Sequence, residues 1–122
     1  MPIVDIELVC ESEAEFTGFS AAQLADALGA AFGTPPGRTW VRLRYLSSQH
    51  YAENDSTLAA AELPVFVTVL HAHVPDADTL AGEARLITEV VARSLARATQ
   101  RVHVQYAPPG AGRLAVGGEW VG

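Results

Sequence analysis

The hydrophobic residues of the chain change their spacing in a fixed order, and the order is run through twice. From Met1 to Val9 the stretch Ile3-Val4-Asp5-Ile6-Glu7-Leu8 alternates apolar with acidic positions, a period that predicts a half-buried strand starting at the head of the chain. Cys10 to Gly18 carries Glu11, Glu13 and Glu15 without an apolar period and reads as a solvated loop. A helix is expected from Ser20, an N-cap with Gln23 as its capping-box partner and Phe19 stapled against Leu24. Its apolar stripe is Leu24, Leu28, Ala31 and Phe32, and Gly33 supplies the stop. After the turn Thr34-Pro35-Pro36-Gly37, the stretch from Arg38 to Leu46 alternates again. Val41, Leu43 and Tyr45 take one face; Trp40, Arg42 and Arg44 take the other.

A polar, turn-rich segment from Ser47 to Thr57 precedes the second cycle. Pro64 to His71 is a nearly continuous apolar run of strand type, which predicts burial on both faces. A turn at Pro75 and an N-cap at Asp76 or Asp78 lead into a long helix reaching Gln100. Its stripe is Leu80, Ala84, Ile87, Val91 and Leu95, and Arg93 and Arg97 near its end suit the dipole. Arg101 to Tyr106 reads as a fourth strand, Pro108 to Gly112 as a turn, and Arg113 to Val121 as a short hairpin bent at Gly117-Gly118. The fold class is therefore α+β: two tandem βαβ units forming a four-stranded sheet with two helices on one face, plus a C-terminal hairpin. Residues 1–122 form a single domain, with pseudo-repeats at about 1–57 and 64–122. Pro2-Ile3-Val4 returns as Pro64-Val65-Phe66, and Trp40-Val41-Arg42 as His103-Val104-Gln105. The sheet face without helices needs a partner, and closed self-association is the usual way to provide one.

Composition narrows the function. A chain of 122 residues with 49% hydrophobic and 18% charged content folds around a real core. Its net charge of -6 argues against a nucleic-acid partner held through phosphate neutralisation, while local arginines still allow a small anion to bind. The lone Cys10 excludes an internal disulfide and reads as a packed thiol, and the expected location is the cytoplasm, with no membrane partner.

One residue offers distinctive chemistry. Removal of Met1 would turn Pro2 into a secondary amine held in a strand. An α-amino group titrates near neutrality, about 7.7–8.0 when unperturbed, so it can serve as a general base. Arg42 and Arg44, beside Trp40, are candidate cations for a carboxylate by bidentate fit, or else a salt-bridged strand surface. His103 is a candidate hydrogen-bond donor to substrate, and His73 is a further one. His71, His73 and His103 also make a conceivable three-histidine metal set, though no carboxylate or thiol reinforces it.

With these residues in view, the chain resembles the tautomerase superfamily, which includes 4-oxalocrotonate tautomerase and macrophage migration inhibitory factor. The likeness lies in Met-Pro opening directly into the strand Pro2-Ile3-Val4 and in the duplicated βαβ plan. It also lies in Gly112-Arg113-Leu114-Ala115-Val116-Gly117-Gly118-Glu119-Trp120, which is similar to the Gly-rich hairpin of the short tautomerases. The resemblance implies a homotrimer of fused halves and no cofactor. It implies Pro2 as acid or base on a small anionic enol or α-keto acid, with Tyr51 and Leu114 shaping the pocket. The chain also departs from the pattern. Trp40 and His103 stand where the short tautomerases place an active-site Arg, and His71-Ala72-His73 stands where the dehalogenase and decarboxylase branches place Arg. Two alternatives follow: a dehalogenase or decarboxylase of the same superfamily, or a non-catalytic trimeric interaction protein. Retention of Met1 would favour the second, because it turns the Pro2 nitrogen into an amide.

Overall fold

The computed structural model describes residues 2–122; Met1, on whose removal the proline chemistry depends, lies outside the described residues. The main sheet is built from β1 (Pro2–Cys10), β2 (Trp40–Ser47), β3 (Val65–His71) and β4 (Val102–Tyr106), in the order β2-β1-β3-β4. β1 runs parallel to β2 and β3 runs parallel to β4, whereas β1 and β3 pair antiparallel at the centre. Each parallel pair is joined by a helix: α1 (Ala21–Phe32) and α2 (Ala77–Leu95). A second small sheet pairs β5 (Leu114–Val116) with β6 (Glu119–Val121). The two βαβ units and the hairpin are as the spacing of apolar residues requires.

Alternation decides which face each residue takes. Val4, Ile6 and Leu8 of β1 and Val65, Val67 and Val69 of β3 point to the helices and are buried. They meet Leu24 and Leu28 of α1 and Ile87, Val91 and Leu95 of α2 in one cluster. Each such aliphatic side chain contributes about 1.5–3 kcal/mol by leaving water. The opposite face carries Trp40, Arg42, Arg44, Ile3, Asp5, Glu7, Phe66, Thr68, Leu70, His103 and Gln105, all at least partly exposed.

Several local expectations change. The acidic segment contains a 3-10 turn, Glu13–Phe16, because Ser12 caps it by accepting from the Ala14 N–H and Phe16 packs against Tyr45. Ser20 does precede α1, but its side chain caps nothing; the Gln23 N–H bonds to the Ser20 carbonyl instead. β3 is buried on its helix face only. α2 stops at Leu95 rather than Gln100, with Ala96 in the left-handed region at φ 54°. There the Arg97 guanidinium turns away to donate to the Leu63 and Val9 carbonyls, tying the end of α2 to the far ends of β1 and β3.

Candidate active site

Pro2 is buried at the head of β1, opposite His71 at the end of β3. The Val9 N–H donates to the Pro64 carbonyl, which fixes the phase of the β1–β3 ladder. Pairs alternate from there, so Pro2 and His71 form a non-hydrogen-bonded pair. Such pairs hold their Cα atoms about 4.5 Å apart, the closest approach of side chains in an antiparallel sheet. The His71 carbonyl accordingly faces away from β1 and accepts from the Gly110 N–H at 2.8 Å. By the same alternation the Pro2 nitrogen points toward β2, while its ring stands on the helix face beside the imidazole.

That imidazole belongs to a nearly dry polar cluster. His71 Nε2 lies 2.8 Å from Glu83 Oε2, with side chains 11% and 13% exposed. The Tyr106 hydroxyl donates to the same Glu83 oxygen at 2.6 Å and its ring stacks on His71. Phe32 meets His71 edge-on. Burial, and then the hydrogen bond to Glu83, raise the Tyr106 phenol above its ordinary range, so it remains a donor. Three elements thus meet at His71, the cross-strand neighbour of Pro2: β3 itself, α2 and β4. A cavity of about 350 Å³ lies between α1 and the turn that follows it, lined in part by Gly29, Thr34, Pro35, Pro36 and Thr39; Pro2 is not among its lining residues. Thr39 immediately precedes Trp40, which pairs with Ile3, and its hydroxyl hydrogen-bonds to that of Thr34.

The arginines lie on the opposite face of the sheet. Arg42 is cross-strand from Asp5 and grips both carboxylate oxygens, Nε at 2.5 Å and Nη2 at 2.8 Å. The hydrogen bond from Arg42 holds the Asp5 carboxyl below its usual range against the opposing effect of burial. Arg44 pairs in register with Glu7 but makes no ion pair among the described residues. Trp40 is 37% exposed and donates its indole N–H to the Gly37 carbonyl.

The remaining candidates fall into two groups. His73 and Leu114 sit near the Pro2 end: His73 Nε2 is 3.0 Å from the Gly122 carbonyl oxygen, and Leu114 packs by Gly110 and so close to Ala72. Tyr51 and His103 flank Phe66 instead, five residues back along β3 and roughly 16 Å from the Pro2 pair at strand spacing. There Tyr51 and Arg101 share Glu53 Oε2 at 2.7 and 2.5 Å. The Tyr51 hydrogen bond, then the Arg101 one, hold the Glu53 carboxyl low. The three histidines are not brought together. His71 faces the helices and His103 the open face, and no group of metal-binding side chains converges among the described residues.

Sequence reading overlooked His71, Glu83 and Tyr106 as a unit. A signal was present: Glu83 lies between Leu80 and Ile87 at helical spacing, a carboxylate next to an apolar stripe. His71 and Tyr106 continue the helix-facing phases of their strands in the same way.

No protein-family model matches the sequence, and a search of curated proteins finds no match. Solved structures do match. A fused 4-OT trimer superposes with a TM-score of 0.74 at 17% identity, covering 96% of this chain and 94% of that one. Macrophage migration inhibitory factor from Oncomelania hupensis gives 0.74 at 19% identity, covering 98% and 81%. FG41 malonate semialdehyde decarboxylase gives 0.68 at 17%, covering 93% and 87%. Over nearly its whole length, the chain has the fold of the tautomerase superfamily.

Proposed function

We propose that the chain is a cytoplasmic small-molecule tautomerase, a homotrimer in which processed Pro2 exchanges a proton with an enol or α-keto acid. The observation that carries this reading is the position of Pro2. Its ring is buried at the head of a central strand, and its nitrogen points toward the start of β2, at the level of Thr39. As a free secondary amine, Pro2 takes a proton next to a carbonyl and returns it elsewhere on the substrate. Cations stabilise the enolate charge that develops. Arg42 is already bound to Asp5, and Arg44, in register with Glu7 on the open face, lies five residues along the sheet from Pro2. Arg44 is therefore the freer cation but serves the Pro2 of a neighbouring protomer rather than its own. In the trimer proposed here on the example of the fused 4-OT trimer, a neighbouring protomer covers the open face, and the open-face residues His103 and Arg44 are the candidates to meet that neighbour's Pro2. Each trimer then holds three terminal amines, since Pro64 is internal and its nitrogen is an amide.

The test uses ketonisation of phenylenolpyruvate by two forms of the protein, one beginning at Pro2 and one retaining Met1, distinguished by intact mass. The processed form turns over the enol and the retained form loses most of that activity; equal rates would remove Pro2 from the chemistry. The Asp5–Arg42 pair favours a second reading, in which the open face is only a seam between protomers of a non-catalytic trimer. A trimer with no Pro2-dependent turnover would support it.

A further inference from the structure

The geometry points to His71, clamped by Glu83, Tyr106 and Phe32, as a positioning residue that fixes the Pro2 ring and sets the electrostatic environment of its amine. This rests on the reading of Pro2 as the reacting group, but the cluster stands on its own contacts. His71 is the cross-strand neighbour of Pro2 in a pair whose side chains approach closely, and both project to the helix face. The imidazole is held on three sides: Nε2 to Glu83 at 2.8 Å, a stacked Tyr106 with ring centroids 5.9 Å away, and Phe32 edge-on at 5.7 Å. A ring so restrained is a fixed wall for the pyrrolidine.

The carboxylate behind that wall explains the tautomer. Glu83 accepts from the Tyr106 hydroxyl and, as a carboxylate, can only accept from His71. Nε2 therefore carries the hydrogen that faces Glu83. With a neutral imidazole the cluster carries one formal negative charge, on Glu83, in a largely desolvated place. Such a charge favours the ammonium form of a nearby amine and so delays its conversion to a base.

Competing charges around Pro2 are few. Arg42 and Arg44 project from the opposite face of β2, and Arg42 is held by Asp5. His73 is turned to the Gly122 carbonyl, and Asp76 caps the start of α2 at Thr79. Asp26, on α1, lines the cavity wall and is exposed. Arg38, just before Thr39 at the head of β2, is exposed to solvent, so Glu83, beside His71, is the charged group here that is largely desolvated.

The test is a titration of the Pro2 nitrogen, followed by NMR in ¹⁵N-proline-labelled protein that begins at Pro2. Glu83→Gln keeps the side-chain shape while removing the charge, and should lower the midpoint by about one pH unit. Tyr106→Phe removes a donor from the carboxylate, leaves its charge less compensated, and should raise the midpoint by a smaller amount. Shifts of opposite sign from two residues sharing one oxygen are not produced by a loss of packing. Circular dichroism checks that each variant is folded; should Glu83→Gln unfold, Tyr106→Phe carries the test. A midpoint unmoved in folded Glu83→Gln, or moved down in Tyr106→Phe, overturns the inference. The titration needs no substrate. Absence of enol turnover in the wild type therefore counts against the tautomerase reading alone, while the NMR midpoints still decide the role of His71 and Glu83.

Discussion

Two carboxylates sit on opposite faces of the same sheet, and each is gripped by a basic side chain. Asp5 and Arg42 meet on the open face, where the arginine side chain is 66% exposed. Glu83 and His71 meet among the helices, where both side chains are nearly buried. The hydrogen-bond lengths are similar, but the energetics are not. An exposed pair is screened by water and adds little to stability, whereas breaking a desolvated pair strands a polar group without a partner. The open-face pair is therefore replaceable, and the buried one is tied to the placement of Pro2.

Substitutions sharpen that contrast in order of expected size. Glu83→Ala leaves the Tyr106 hydroxyl and the His71 N–H without an acceptor and should cost about 2–3 kcal/mol in urea unfolding. Tyr106→Phe removes one hydrogen bond to a charged group and should cost about 1.5 kcal/mol. Arg44→Ala should leave stability near wild type yet raise KM for a carboxylate substrate by roughly tenfold, the worth of one charge-assisted hydrogen bond. Arg42→Ala should change the urea midpoint least. Its effect is read best against pH: the Asp5 carboxyl is held low by Arg42, so the pair contributes above the ordinary carboxylate range and the contribution fades as acid protonates Asp5. Wild type and Arg42→Ala should thus converge in stability toward low pH; a difference that persists there would assign Arg42 a packing role instead.

Most of the fold was legible because strand alternation and helical stripes are properties of adjacent residues. The pairing of Asp5 with Arg42 follows once β1 and β2 are parallel and in register. The end of α2 was not legible, since no glycine or proline marks it: an alanine adopts the left-handed turn, held by a long-range contact from Arg97 to Leu63 and Val9. The candidate site divides in the same way. Pro2 announces itself by chemistry, but His71, Glu83 and Tyr106 belong to different elements, and their meeting depends on how α2 lies over β3 and β4. Tyr51 and His103 carry suitable side chains, yet lie far along the sheet from Pro2 within one protomer, a separation that residue type alone does not reveal.

The central claim is that the free nitrogen of Pro2 is the base. The most direct measurement sets the pH dependence of kcat/KM for phenylenolpyruvate beside the titration of the Pro2 nitrogen in the same processed protein. The account predicts that the rate rises as the amine loses its proton, with one common midpoint, and that both midpoints move together in Glu83→Gln. A rate that rises at a pH unrelated to the amine, or that ignores its displacement in the variant, would contradict it.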